Sequence, residues 1–123
     1  DALDESGGPS IRLLKIDVDD SGRTRFALLH TKLQDAPPYD TLSYVWGTSR
    51  RKVLMPLSDG RMLRITKTLD VALPRIIPHC KTGYIWIDQL CIDQENLQER
   101  SQQVAIMGQI YSRCSSVLVW PGQ

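Results

Sequence analysis

No apolar run in this 123-residue sequence approaches the ~20 residues that a membrane-spanning helix requires. An excess of charge of one sign is missing as well: 15 basic residues stand against 14 acidic ones, for a formal net charge of +1. That balance leaves no basic footprint for nucleic acid or an anionic membrane. Cysteine is scarce, with only Cys80, Cys91 and Cys114, widely separated and without a Cys-x-x-Cys pair. His30 and His79 do not fall at zinc-finger spacing, so no metal site is expected. The pattern reads as reduced thiols acting as small hydrophobes in a cytoplasmic protein. A nucleophilic Cys91 would have no histidine nearby in sequence to activate it. Repeats and low-complexity linkers are absent too. Residues 1–10 are acidic and rich in small side chains, the reverse of a basic-then-apolar signal peptide, and are expected to be a flexible leader.

What is present is an ordinary globular composition, 41% hydrophobic and 24% charged. The length argues for one domain, able to bury roughly two-thirds of its unfolded surface without a disulfide or metal staple. Ile11, Leu13, Leu14 and Ile16 read as a strand that returns over residues 26–30, after a turn at Asp19-Asp20-Ser21-Gly22. Pro37-Pro38 then interrupts the chain, and residues 39–47, rich in β-branched and aromatic side chains, read as a strand covered on both faces. Residues 50–56 and 61–65 flank Ser58-Asp59-Gly60 as a second hairpin.

From Thr66 the period becomes helical. Leu69, Ala72, Leu73, Ile76 and Ile77 form one stripe, with Thr66 or Thr68 as N-cap and a kink expected at Pro74. Residues 84–88 read as a buried strand and residues 89–95 as a loop. Asn96 and Glu99 have capping-box spacing before a helix whose stripe is Val104, Met107, Tyr111 and Cys114, widened by Ile106 and Ile110. Residues 116–120 form a last buried strand, stopped by Pro121-Gly122. Alternating strands and helices imply right-handed crossovers. The expected fold is therefore α/β, with a mainly parallel central sheet and flanking antiparallel hairpins. Ending just after a core strand, the unit spanning residues 11–123 is expected to be cut before its last elements.

Three blocks follow one another in order: Leu42-Ser43-Tyr44-Val45-Trp46-Gly47, then Trp86-Ile87-Asp88-Gln89-Leu90-Cys91-Ile92-Asp93-Gln94, then Glu99-Arg100 with Gln103-Val104, Met107 and Ile110-Tyr111. Together they resemble the heterokaryon incompatibility (HET) domain of filamentous fungi over about residues 11 to 122. Asp93 stands where that family usually has asparagine, and Pro121 where it usually has leucine. The resemblance implies a cell-death effector domain of non-self recognition within a larger protein. HET domains in turn look like distant relatives of TIR domains, which implies a TIR-like, flavodoxin-like arrangement here. Many TIR domains cleave NAD at the nicotinamide–ribose bond; their catalytic glutamate lies in a helix beyond Gln123, so it maps to no residue of this chain.

Asp88, Asp93, Glu95 and Glu99 gather carboxylates after a presumed parallel strand, the edge where ligands bind in open α/β sheets. A carboxylate there can stabilise the oxocarbenium-like charge of a breaking N-glycosidic bond. Glu99 and Asp88 are the candidate catalytic residues. Asp93 and Glu95 read better as solvated loop acids. Candidate ligand-binding residues are Tyr44, Trp46 and Trp86 for ring stacking, Gly47 for its backbone amide, Gln94, and Arg100 for a phosphate. Core packing for Trp86 and ion pairing within the acidic loop for Arg100 are the competing readings. Two functions remain open: an enzyme consuming NAD as substrate, with no bound cofactor, and a non-enzymatic adaptor assembling with its own copies or with other death-signalling proteins.

Overall fold

The computed structural model describes residues 8–44, 51–93 and 96–120. Two long strands open the chain, β1 (Ser10–Val18) and β2 (Thr24–Lys32), paired antiparallel throughout. Asp19 closes their turn, its Oδ1 accepting from the backbone N–H of Ser21 at 3.0 Å and of Arg23 at 2.9 Å. Gly22 supplies the φ of +82° that the turn requires. Residues 1–7 of the expected leader lie outside the described residues, while Ser10 is already buried within β1 and the carbonyl of Pro9 accepts the N–H of Leu33 at 2.8 Å.

β3 (Asp40–Tyr44) follows the two prolines, and then comes a separate ribbon of β4 (Arg51–Pro56) and β5 (Met62–Thr66). Helix α1 (Lys67–Ile76) starts at Thr66, whose Oγ1 accepts the N–H of Leu69 at 3.3 Å; of the two candidate caps it is Thr66 that acts. Its stripe of Leu69, Ala72, Leu73 and Ile76 is buried. Pro74 has no N–H to return to Asp70, and the helix tightens into a 3-10 turn over Ile77–His79 soon after. β6 (Tyr84–Trp86), a single helical turn α2 (Asp88–Cys91), the long helix α3 (Leu97–Arg113) and β7 (Ser116–Trp120) complete the described chain. No helix among the described residues is long and apolar enough to cross a membrane.

The main sheet has the order β2-β1-β6-β3-β7. β6, β3 and β7 run parallel, whereas β1 pairs antiparallel with both β2 and β6. The fold is thus mixed α/β, and the expectation of a mainly parallel central sheet is corrected. The first hairpin is not a flanking ornament: β1 occupies an interior position, and antiparallel pairing accounts for more of the ladder than parallel pairing does. Ile11, Leu13, Leu14, Leu42, Ile85 and Trp86 are buried along β1, β3 and β6, as expected of strands covered on both faces, whereas β7, expected to be buried, lies at the sheet edge and exposes Val117 and Val119.

At the start of the parallel strands, buried Asp40 ties three of them together. It accepts from Ser116 Oγ at 2.5 Å and from Thr82 Oγ1 at 3.0 Å. Burial pushes its pKa up, but these hydroxyls and the Cys80 thiol outweigh burial and hold it below the usual value. Beside it, buried Tyr39 donates its hydroxyl to the carbonyl of Ile110 at 2.6 Å, which docks α3 on the sheet. Burial pushes the Tyr39 hydroxyl up to about 12.

Candidate functional site

The opposite edge, where the parallel strands end, holds the carboxylates singled out in the sequence. β6 stops at Trp86, two residues earlier than the expected strand, because the backbone turns into α2 at Asp88. The stretch read as loop therefore begins with a helical turn. Gln89 explains it: this side chain is buried, accepts the N–H of Thr66 at 2.7 Å and donates to Thr66 Oγ1 at 3.2 Å. One amide thereby satisfies both the cap of α1 and its own burial.

Glu99 is the centre of this edge. Its two oxygens accept the two terminal nitrogens of Arg12, at 2.5 Å and 2.8 Å, in a buried fork. Oε2 also accepts the backbone N–H of Asp93 at 2.6 Å, and Arg12 Nη1 donates to the Cys91 carbonyl at 3.3 Å. Asn96 Oδ1 accepts the Glu99 N–H at 3.1 Å, so half of the expected capping box is present. The other half is not, because the Glu99 carboxylate turns inward to Arg12 instead of back to Asn96. Burial alone would raise the Glu99 pKa; the Arg12 and Asp93 hydrogen bonds outweigh it and leave the carboxyl below the usual glutamate value.

This inward turn also reassigns the face of α3. Glu99, Gln103 and Ile110 are its buried residues, with Ile106, Met107, Tyr111 and Cys114 packed beside them, while Val104 is exposed. The expected apolar stripe is rotated because two polar residues have internal partners: Gln103 Nε2 donates to the Ser10 carbonyl at 2.8 Å, just as Glu99 meets Arg12.

The other candidates are placed as follows. Asp88 is half-buried at the first position of α2, and its charge helps to raise the pKa of Tyr111 and of Cys91. Burial is the first cause in both cases, and it pushes the Cys91 thiol up to about 12, leaving it unsuited to nucleophilic attack near neutral pH. Trp86 is fully buried and meets Tyr111 edge-on, with centroids 6.0 Å apart and planes at 73°. A ring without exposed surface has no face to offer a ligand, so Trp86 is a core residue. Arg100 is exposed on the first turn of α3, and Glu99 has taken Arg12 as its partner rather than this neighbour. The Asp93 side chain is exposed too. Tyr44 closes β3 beside Trp120 of β7. Trp46, Gly47, Gln94 and Glu95 lie outside the described residues.

The structure thus joins Glu99 to Arg12 and the Asp93 backbone. A cleft of about 410 Å³ lies elsewhere, between β2, the β4–β5 ribbon and α1. Phe26, Met55, Ile65, Leu73 and Ile77 line it, and Asp70 supplies its carboxylate. It includes none of the candidate residues. No group of His, Cys, Asp and Glu among the described residues has the geometry to hold a metal ion.

Glu99 and Asp40 predict the acid response of the fold. Both have lowered folded-state pKa values, so their stabilisation is present above the ordinary carboxylate pKa of about 4 and is lost as pH falls through the folded values. Thermal scans are expected to show a melting temperature that drops below about pH 4. The Asp40→Asn/Glu99→Gln variant, less stable at neutral pH, is expected to show a shallower drop, and an equally steep one would place the acid sensitivity elsewhere.

A family model described as "Heterokaryon incompatibility protein (HET)" matches residues 39–123. The "Heterokaryon incompatibility protein 6, OR allele" of Neurospora crassa is 41% identical over 98 residues, covering 70% of this chain and 14% of that relative. The chain thus corresponds to a small part of that longer protein. No solved structure matches significantly. The chain belongs to the heterokaryon incompatibility (HET) family.

Proposed function

We propose that this chain is a death-effector module of fungal non-self recognition, acting in the cytoplasm by assembling with its own copies or with other death-signalling proteins. The family and its Neurospora relative support the heterokaryon incompatibility role. The observation favouring assembly over catalysis is the state of Glu99. Both of its oxygens are engaged by Arg12, and one also serves Asp93. A carboxylate neutralised by a buried guanidinium has little field left for a developing oxocarbenium charge.

Cleavage of NAD is the second reading. The parallel order β6-β3-β7 favours it, because it is the beginning of a TIR-like or flavodoxin-like arrangement whose ligands bind beyond the strand ends. In that reading Asp88, at the end of β6, carries the charge.

Thermal melting separates the two by mass action. Assembly predicts a melting temperature that rises with protein concentration and is unmoved by millimolar NAD. A rise with NAD at fixed protein concentration, and none with protein concentration, would reverse the assignment.

A further inference from the structure

We propose that Arg12 is a positioning residue, which reaches from β1 to fix the chain leaving α2, at Cys91 and Asp93, against the first turn of α3 through Glu99. A single guanidinium grips both segments. It donates to the carbonyl of Cys91, the last residue of α2, and to the carboxylate of Glu99 in the first turn of α3. Glu99 passes the restraint on, accepting the N–H of Asp93 at 2.6 Å. Arg12 is only 6% exposed; the ladder to β2 pairs it with His30, and the pairing of β1 to β6 begins two residues further on, at Leu14. The family match begins at residue 39, and Arg12 lies ahead of it. The acid at position 99, inside the matched segment, therefore depends on a cation supplied from outside it, and the first hairpin is part of the working unit.

Stability alone is a poor reason for such a pair, since apolar residues of similar volume commonly replace a buried ion pair without loss. An apolar pair cannot, however, accept the Asp93 N–H or donate to the Cys91 carbonyl. Packing and positioning can thus be separated by experiment.

The test is residue-resolved amide hydrogen exchange on the 123-residue chain and its Arg12→Met/Glu99→Met and Arg12→Lys variants. The double variant is expected to keep a melting temperature near that of the parent and unchanged protection at Leu69 and Leu73 of α1. Its Asp93 amide is expected to exchange about ten- to a hundredfold faster than the parent's, the loss of a hydrogen bond to a charged acceptor. Parental protection at Asp93 in the folded double variant would overturn the proposal. If the double variant does not fold, Arg12→Lys decides, because it keeps the charge and loses the fork. Faster exchange at Asp93 with α1 still protected supports positioning, and an unchanged Asp93 refutes it.

Discussion

Replacing Glu99 with alanine is expected to lower the unfolding free energy by about 3–5 kcal/mol. Arg12 would remain inside the protein without the carboxylate that its fork engages. A glutamate that merely favoured the start of a helix would be worth about 0.3–1 kcal/mol. The two explanations thus differ several-fold in magnitude, and urea denaturation of Glu99→Ala against the parent distinguishes them. A loss below about 1 kcal/mol would mean that the Arg12 fork contributes nothing beyond an ordinary helix start.

Trp86→Ala is expected to be comparably severe, at about 3–5 kcal/mol, because it empties the largest fully buried side chain of the core. Trp86→Phe is the informative partner. The indole Nε1 has no hydrogen-bond partner among the described residues, so phenylalanine removes a buried donor whose desolvation costs about 1–3 kcal/mol. That gain offsets part of the lost ring volume, and Trp86→Phe is expected to be much milder than Trp86→Ala in the same urea titration. Equal losses would indicate that the indole N–H is bonded in solution.

The sequence made the local structure legible where period and turn chemistry agree. The stripe of α1, its Thr66 cap, the Asp19–Gly22 turn and the three parallel strands all follow from side-chain pattern. What it concealed were contacts between residues far apart in the chain. Arg12 interrupts the apolar run from Ile11 to Leu14, and that interruption was the available signal of a buried charge. Its partner is 87 positions away, a distance over which no periodicity speaks. The same holds for Gln89 with Thr66 and Gln103 with Ser10, polar residues whose internal partners turned a presumed loop into α2 and rotated the buried face of α3. The mixed sheet has this origin too: β1 could be recognised as one arm of a hairpin, but its second pairing, to β6, joins residues 14 and 85.

Of the candidate site, the cluster at the end of β6 was visible, and its internal economy was not. Glu99 stood out as an acid beside other acids, whereas the structure gives its charge to Arg12 and one of its lone pairs to Asp93. Asp88 keeps a half-buried place, and its charge adds to burial in raising the pKa values of Tyr111 and Cys91. The two carboxylates therefore differ in what they can do. Glu99 serves the fold, and Asp88 is the acid that a nucleotide-cleaving site at this edge would use.

The most direct measurement is nicotinamide release from NAD by the purified protein, at concentrations high enough for self-association, with Glu99→Gln and Asp88→Asn prepared alongside and shown to be folded. An assembling module in which Glu99 anchors the chain leaving α2 predicts no release by any of the three. Release by the folded parent would contradict it, and loss of that release in Asp88→Asn would make the end of β6 the active site of an NAD hydrolase.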